Sequence, residues 1–243
     1  MKRLGLFLLA LPLIVFLALP ILALIMRAPW AVPSGDALTA VVVSLKTTAL
    51  ATLFILLFGT PLAFLLGRIR HRGFLEILVT LPAVLPPAAA GLALLLALGR
   101  KGLFPTGLPF TAGAVVLAQV YVAVPFFVRP LAAAFREIAQ TVEEAAILDG
   151  ASLGAFFWRV ALPLTKRPLA AALTLAWARA LGEFGATALF AGNRTGVTQT
   201  LPLAIYLGFE TDIDVAASLS LLLLAIAVGV IAATLLLRRK EDA

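Results

Sequence analysis

The sequence contains no cysteine and a single histidine, His71, among its 243 residues. The lack of thiols excludes disulfide bonds, thiolate metal sites and cysteine nucleophiles, and one histidine argues against haem ligation and histidine-rich metal catalysis. Charged residues are also scarce, at 13%, whereas soluble domains carry roughly a quarter. The composition therefore excludes a soluble enzyme, a disordered tail and a fibrous repeat.

Apolar residues make up 63% of the chain and come in long blocks, which predict membrane-spanning helices and not the alternating pattern of barrel strands. We therefore predict an all-α integral membrane protein with one domain, residues 1–243, and six transmembrane helices. The first block exceeds the apolar core of a signal peptide, so we expect it to remain as a span. The predicted spans lie at about residues 4–26, 38–66, 77–98, 112–127, 169–191 and 215–237.

Basic residues are distributed unequally between the two sides of this arrangement. With six spans, thirteen lysines and arginines fall on the side of both termini and four on the other side. Because cytoplasmic loops are enriched in Lys and Arg, we expect a multi-pass protein of the cell membrane with both termini in the cytoplasm. The net charge of +7 then reflects membrane topology, and no nucleic-acid partner is expected.

The longest cytoplasmic segment is the predicted loop of about residues 128–168. Its middle predicts a helix, a break at Gly150, where glycine allows a turn that other residues resist, and a second short helix. Three aromatic residues end this second helix: Phe156, Phe157 and Trp158. Such a cluster on a loop either marks a partner site or lies in the lipid headgroups, and the residues alone leave both interpretations open.

This loop resembles the EAA loop of ABC importer permeases. The matching residues are Glu144-Ala145-Ala146, Gly150 and Leu162-Pro163, at the spacing of that family, and Val160 stands where the family usually has isoleucine. The resemblance implies a type I ABC importer permease fold and a coupling helix that docks on a separate ATP-hydrolysing subunit. The implied contact residues are Glu144, Ala145, Ala146, Gly150, Ala151, Ser152, Phe156, Phe157, Trp158, Leu162 and Pro163.

ATP is not expected to bind to this chain. The sequence has no Gly-x-x-x-x-Gly-Lys-Ser/Thr motif, which is the phosphate-binding loop of ATP-hydrolysing proteins. The chain is therefore expected to be a transport subunit and no enzyme, with ATP and magnesium held by the partner. An intramembrane enzyme is also disfavoured, because no His, Cys or Asp lies within the predicted spans.

Further segments are similar to the molybdate permease family, with tungstate and sulfate/thiosulfate permeases as close relatives. The resemblance implies import of molybdate or tungstate by alternating access, with a second copy of the chain, two ATP-binding cassette subunits and an extracytoplasmic oxyanion-binding protein. It also implies that residues 198–207 help to dock that protein. A sulfate/thiosulfate permease is the alternative, and an ATP-independent carrier is a more distant one. The matching segments are residues 44–46, 81–87, 178–187, 191–193 and 198–206.

Polar residues within the second and fifth predicted spans are candidates for a translocation path. Ser44, Thr48 and Thr52 share one helix face, where they either line the path or bond to backbone carbonyls. Arg179 and Glu183 lie four residues apart, so they form either a structural ion pair or a site that helps an anion to pass.

The third predicted span contains Pro86 and Pro87, which lack backbone N–H donors. They indicate either an ordinary kink in a packed bundle or a bent helix beside a gate. Together with Thr187 of the matching segment 178–187, these prolines complete the set of candidate path residues.

Overall fold

A computed structural model describes residues 2–29, 35–69 and 73–240, and every regular element within these ranges is helical. The basic loop with His71 lies outside the described residues. Two short π-helical turns, Ile55–Gly59 and Phe157–Ala161, continue α2 into α3 and α8 into α9. The helices are α1 (Lys2–Arg27), α2 (Gly35–Phe54), α3 (Thr60–Arg68), α4 (Gly73–Val84), α5 (Pro87–Leu98), α6 (Ala112–Arg136), α7 (Gln140–Leu148), α8 (Leu153–Phe156), α9 (Leu162–Leu164), α10 (Lys166–Leu181), α11 (Gly185–Phe190), α12 (Leu201–Thr211) and α13 (Ile213–Lys240).

Four helical stretches in the described ranges are long and apolar enough to cross a membrane. The all-helical membrane prediction is confirmed by these stretches. The predicted count of six is not, because the third and fifth predicted spans are interrupted and only the pair α4–α5 can be counted as a fifth, bent span. The four stretches are Phe7–Arg27, Gly35–Arg68, Ala112–Arg136 and Ile213–Leu236.

The third predicted span is two helices, α4 and α5, whose axes differ by 117°. Pro87 begins α5, and Pro86 before it has extended backbone angles (φ −54°, ψ 135°). A residue that precedes proline is pushed out of the helical region, and neither proline donates a backbone hydrogen bond. The bend is much larger than an ordinary proline kink, so of the two predicted forms the structure has the strongly bent one, and the single span predicted over residues 77–98 is two helices.

The fourth and fifth predicted spans also have different limits from those predicted. Helix α6 continues to Arg136, past Pro125 and Pro130, because it packs against α2, α3, α4 and α10 along its length. The loop predicted to begin at residue 128 therefore starts about nine residues later. The fifth span is divided, since α10 ends at Leu181 and α11 begins at Gly185.

Helix α6 is the centre of the bundle, and its buried side chains include Phe127 and Phe135. α3 approaches it closely: a Cβ added to Gly67 would lie 2.9 Å from the carbonyl oxygen of Ala132. By contrast, the apolar side chains of α1 and α13 are largely exposed. In a membrane, we expect these two outer helices to face lipid or a second protein.

The α5–α11 crossing depends on two glycines. A Cβ on Gly91 would lie 2.7 Å from the carbonyl oxygen of Ala186, and a Cβ on Gly185 would lie 2.8 Å from the Cβ of Pro87. Small residues allow helix backbones in membranes to approach this closely. The first turn of α5, directly after the bend, is thereby held against the start of α11.

We expect Gly91→Ala to destabilise the protein, because its methyl group meets backbone atoms of Ala186 that cannot move independently. Overpacking of this kind costs about 1–3 kcal/mol. Gly229→Ala is the matched control, since Gly229 lies in a helix with nothing within 4 Å of its added Cβ. Thermal unfolding of the detergent-purified variants measures both, and equal melting temperatures would contradict this packing.

Candidate functional site: the coupling segment and the span interior

The coupling segment, residues 137–165, has the predicted helix–glycine–helix form. Gly150 follows α7 with φ +82°, and its N–H donates to the carbonyl oxygen of Ile147 at 2.9 Å. The N–H of Ala151 donates to Ala146 at 2.9 Å, so the turn closes the end of the helix. The Ser152 hydroxyl then accepts from the N–H of Ala155 at 3.2 Å and caps α8.

Two of the three aromatic side chains in this segment are buried, so neither of the two predicted locations, a partner site or the lipid headgroups, is right for them. Phe156 is 1% and Phe157 9% exposed, whereas Trp158 is 67% exposed. The reason is a set of aromatic rings on the bundle: the ring centroid of Phe157 lies 4.9 Å from that of Phe64, which stacks edge-on with Phe135 at 5.3 Å. The first two aromatics therefore anchor the segment to α3 and α6.

Arg68, at the end of α3, clamps the segment from the side. Its guanidinium carbon lies 4.8 Å from the ring centroid of Phe156 and 5.3 Å from that of Phe64. The same guanidinium is ion-paired with Glu143 on α7. Its Nε and Nη2 atoms are buried and have no hydrogen-bond partner. A cation over two aromatic faces with a carboxylate beside it is a stable arrangement away from water.

Sequence reasoning missed this clamp. In the sequence, Arg68 is one basic residue near the end of a predicted span, and Glu143 directly precedes Glu144 of the matching motif. The two residues are 75 positions apart, and no local pattern joins them. The available signal was a cation at the end of a span together with aromatics in the loop.

The outer surface of the segment remains open. Glu144 is exposed and accepts a hydrogen bond from the Gln140 side chain at 2.7 Å. Ala145, Ser152 and Pro163 are exposed, while Ala146, Ala151 and Leu162 are half-buried. A group of large apolar side chains lies on this surface, consisting of Ile147, Leu148, Leu153 and Trp158. Exposed apolar groups on an anchored segment are typical of a protein interface.

The polar stripe of the second span is a set of structural hydrogen bonds between helices. Ser44 and Thr48 are fully buried. The Ser44 hydroxyl accepts from the backbone N–H of Leu201 at 2.7 Å, and that of Thr48 accepts from the Gln119 amide at 3.1 Å. Thr52 donates to the carbonyl oxygen of Thr48 at 2.7 Å. The stripe therefore ties α2 to α6 and to the start of α12.

Helix α12 lies outside the four apolar stretches, as expected for the short run 198–207. Its first residue, Leu201, is the one held by Ser44. In the middle of α12, the Tyr206 hydroxyl is hydrogen-bonded to the carboxylate of Glu210, which raises the pKa of Tyr206. An apolar hollow of about 430 Å³ lies between this helix and α13.

Arg179 and Glu183 form the predicted ion pair at the break between α10 and α11. The Arg179 Nη1 atom lies 2.6 Å from Glu183 Oε2, and Glu183 is only 1% exposed. The other carboxylate oxygen of Glu183 accepts from the N–H of Ala186 at 2.7 Å. One carboxylate thus neutralises a cation and satisfies a backbone donor in the first turn of α11.

The remaining path candidates lie around the α4–α5 bend. Pro86 and Pro87 are exposed, and Gly185 packs on Pro87. Thr187 is fully buried, and its hydroxyl has no hydrogen-bond partner. The bend and the divided span therefore meet at one place. In the described ranges, no group of three or more His, Cys, Asp or Glu residues is placed to hold a metal ion.

The family model "Binding-protein-dependent transport system inner membrane component" matches residues 1–241. The chain belongs to this family. The match covers the bundle, the coupling segment and the divided span together. The chain is thus a membrane component of a transport system that works with a binding protein.

Several members of this transport family are similar to the chain over most of its length. The molybdenum transport system permease protein ModB of Mycobacterium tuberculosis is 43% identical over 85% of this chain and 83% of its own length. The ModB protein of Escherichia coli is 38% identical over 71% of the chain and 80% of its own. A probable transport system permease protein, NifC of Clostridium pasteurianum, is 37% identical over 75% of the chain and 68% of its own length.

Two solved structures share the fold of this family member. One is a bacterial ABC transporter that imports alginate, with a TM-score of 0.71 and 18% identity over 98% of this chain and 96% of that chain. The other is a bacterial alginate ABC transporter in complex with a periplasmic protein that holds an alginate pentasaccharide, also with a TM-score of 0.71 and 18% identity, over 96% and 93%. At this identity the likeness extends to the fold alone.

We expect Arg68→Gln and Glu143→Gln to loosen the coupling segment by about 1–2 kcal/mol, because each removes the ion pair and the first also removes the ring contacts. Amide hydrogen exchange of residues 140–150 in the purified protein measures this opening. Glu137→Gln, which neutralises an exposed carboxylate on the same segment, is the control. If exchange in Arg68→Gln equals that in the control, the clamp does not hold the segment.

We expect Arg179→Ala to reduce folded yield, since it leaves the Glu183 carboxylate buried without its cation. Arg179→Ala/Glu183→Gln is expected to recover most of that yield. Glutamine carries no charge and still has an oxygen to accept from the Ala186 N–H, whereas Arg179→Ala/Glu183→Ala loses that acceptor and recovers less. Monodisperse yield in size-exclusion chromatography gives the ranking. Equal yields for the two double variants would contradict the capping role of Glu183.

Proposed function

We propose that this chain is the membrane-spanning permease subunit of an ATP-driven importer for molybdate, with tungstate as an equivalent cargo. Two copies of the chain form the translocation unit with two ATP-hydrolysing subunits and an extracytoplasmic oxyanion-binding protein. The name of the relatives supports the cargo, because proteins named for molybdenum transport match it at up to 43% identity. Sulfate or thiosulfate is the alternative cargo, and an ATP-independent carrier is disfavoured.

The observation that carries the ATP-driven assignment is the anchored coupling segment. Its inner side is fixed to the bundle by Phe156, Phe157 and the clamp at Arg68. Its outer side exposes Leu148, Leu153 and Trp158. A secondary carrier works without a separate ATP-hydrolysing subunit and needs no anchored apolar surface for one. A permease driven by such a subunit needs this surface for the contact between the two proteins. ATP and magnesium belong to that motor subunit.

The proposed orientation places the coupling segment and both termini in the cytoplasm. The unequal distribution of lysine and arginine supports it, and the acidic residues Glu210, Asp212 and Asp214 then face outward. This arrangement puts α12 on the outer side, where a binding protein arrives. The hydrogen bond from Leu201 to Ser44 ties that helix to α2 and through it to the bundle.

The proposed gate is the place where the α4–α5 bend meets α11. The described part of one chain has four continuous stretches and one bent pair, which do not enclose a path, so a second copy is needed to close it. Alternating access then follows from ATP binding, which brings the two coupling segments together and moves the bends relative to each other. Pro86, Pro87, Arg179 and Glu183 lie at or near this junction, and the Arg179–Glu183 pair holds its shape.

Uptake of radiolabelled molybdate by vesicles containing the complete transporter tests this function. We expect uptake that requires both ATP and the binding protein, and that excess tungstate suppresses more strongly than sulfate does. Transport of a sugar, an amino acid or a metal cation, with none of the three oxyanions, would overturn the cargo. Uptake that continues without ATP would overturn the mechanism.

We expect Gly150→Ala to lower substrate-stimulated ATP hydrolysis by several-fold. Its φ of +82° costs about 1–2 kcal/mol for a residue with a Cβ, so the turn between α7 and α8 is displaced. No atom lies within 4 Å of the added Cβ, so the effect comes from the backbone alone.

Gly154→Ala is the matched control for Gly150→Ala. It lies four residues away in α8, its backbone does not have a positive φ, and the nearest atom to its added Cβ is 4.0 Å away. ATPase activity of the complex should stay near the wild-type value in this control. Equal activity in both alanine variants would show that the turn geometry does not matter for coupling.

A further inference from the structure

A cavity of about 470 Å³ lies between α4, α6 and α10, on the side of the bundle where α6 ends. A second cavity of about 490 Å³ adjoins it and shares Glu76 and Arg129. The lining of the first cavity combines apolar walls with charged groups. Its described charged residues are Glu76, Arg129 and Arg136.

The position of Arg129 favours water or protein, and not the lipid core, as the surroundings of this cavity. Arg129 lies seven residues before the end of α6, which is about 10 Å along the helix. α6 is one of the stretches that can cross a membrane, and the Arg129 side chain is exposed. A charge within a spanning helix is costly against hydrocarbon, so Arg129 is more stable facing a wet or enclosed space, or extended towards the membrane surface at the end of α6.

The lining is positive on balance. Arg129 and Arg136 are both exposed and lie two helical turns apart on α6, so they share a face. Glu76 supplies one carboxylate, and it is itself engaged by a neighbouring group. Two guanidinium groups against one carboxylate leave one net positive charge. A third cation, Arg179, lies 5.9 Å from the ring centroid of Phe126, which also lines the cavity, although Glu183 neutralises it.

We propose that Arg129 and Arg136 form an oxyanion-binding vestibule at the cytoplasmic end of the translocation path. The ligand is a tetrahedral oxyanion of the transported kind, which the fork of N–H donors on arginine fits well. The vestibule draws the anion away from the gate and holds it until it reaches the cytoplasm. This inference rests on the proposed function, because it assumes that the cargo is an anion.

The absence of cysteine makes a direct test possible, since a single Ala133→Cys substitution places the only thiol of the protein on the cavity wall. The full chain is reconstituted with its partner subunits in nanodiscs of neutral lipid. We measure the labelling rates of this thiol with an anionic and a cationic methanethiosulfonate reagent, relative to those of a small free thiol. We expect a preference of roughly ten-fold for the anionic reagent, because charged clefts concentrate counter-ions. Added molybdate is expected to slow the labelling.

Substitutions of the two arginines identify the source of that preference. In the Ala133→Cys background, Arg129→Gln/Arg136→Gln should abolish the preference and the protection by molybdate. Arg129→Lys/Arg136→Lys should keep the preference. Lys46→Gln removes another exposed cation on a spanning helix, outside both cavities, and should change neither measurement.

Three results would overturn the proposal. The first is an equal labelling rate with both reagents in the Ala133→Cys protein that retains Arg129 and Arg136. This result does not depend on the folding of the arginine variants. The second is a lack of protection by molybdate. The third is a labelling rate that falls when anionic lipid is added to the nanodisc but does not fall with molybdate. The site would then bind lipid phosphate.

The outcome separates this proposal from the proposed function. If wild-type vesicles import molybdate but the cavity shows no anion preference, the vestibule alone is wrong. If the cavity prefers anions and is protected by molybdate but vesicles import no oxyanion, the transport assignment is wrong and the anion site stands.

Discussion

The contact on which the proposed mechanism depends is the guanidinium of Arg68, which lies against the rings of Phe64 and Phe156 and pairs with Glu143. A segment outside the membrane transmits force only if it is rigidly joined to the helices that move. Aromatic packing joins the segment to α3 and α6, and the ion pair between Arg68 and Glu143 ties α7 to the end of α3.

The coupling segment is connected to the interior of the helix bundle through one helix, α6. α6 carries Phe135 of the aromatic cluster, Gln119 that bonds to Thr48, and the two arginines of the cavity. It also packs against α2, α3, α4 and α10. In the proposed mechanism, a movement of the coupling segment reaches the cavity and α12 through the packed groups of α6. The α4–α5 bend and the α10–α11 break lie beside this scaffold, where a change of shape needs no unfolding of a central helix.

Much of this architecture was predictable from the sequence, since helices in a membrane satisfy their backbone groups locally and appear as apolar blocks. The turn at Gly150 was predictable because glycine tolerates its backbone angles, and the Arg179–Glu183 pair because the spacing places both residues on one face. The 117° angle at Pro86 was not, because proline excludes a straight helix without specifying a direction. The burial of Phe156 and Phe157 was also missed, since it depends on rings more than 20 residues away on other helices. The end of α6 was misplaced because tertiary packing carried the helix beyond its internal prolines.

The central claim is that the coupling segment contacts an ATP-hydrolysing subunit in the cytoplasm. A photoreactive benzoyl-phenylalanine is placed at position 158 or at position 209 to test this claim. The two probes are equally accessible to a partner protein, because Trp158 and Phe209 are both 67% exposed. The claim predicts that, in cells, the probe at 158 captures the ATP-hydrolysing subunit and the probe at 209 does not. Capture of that subunit from position 209 and not from 158 would contradict both the contact and the orientation.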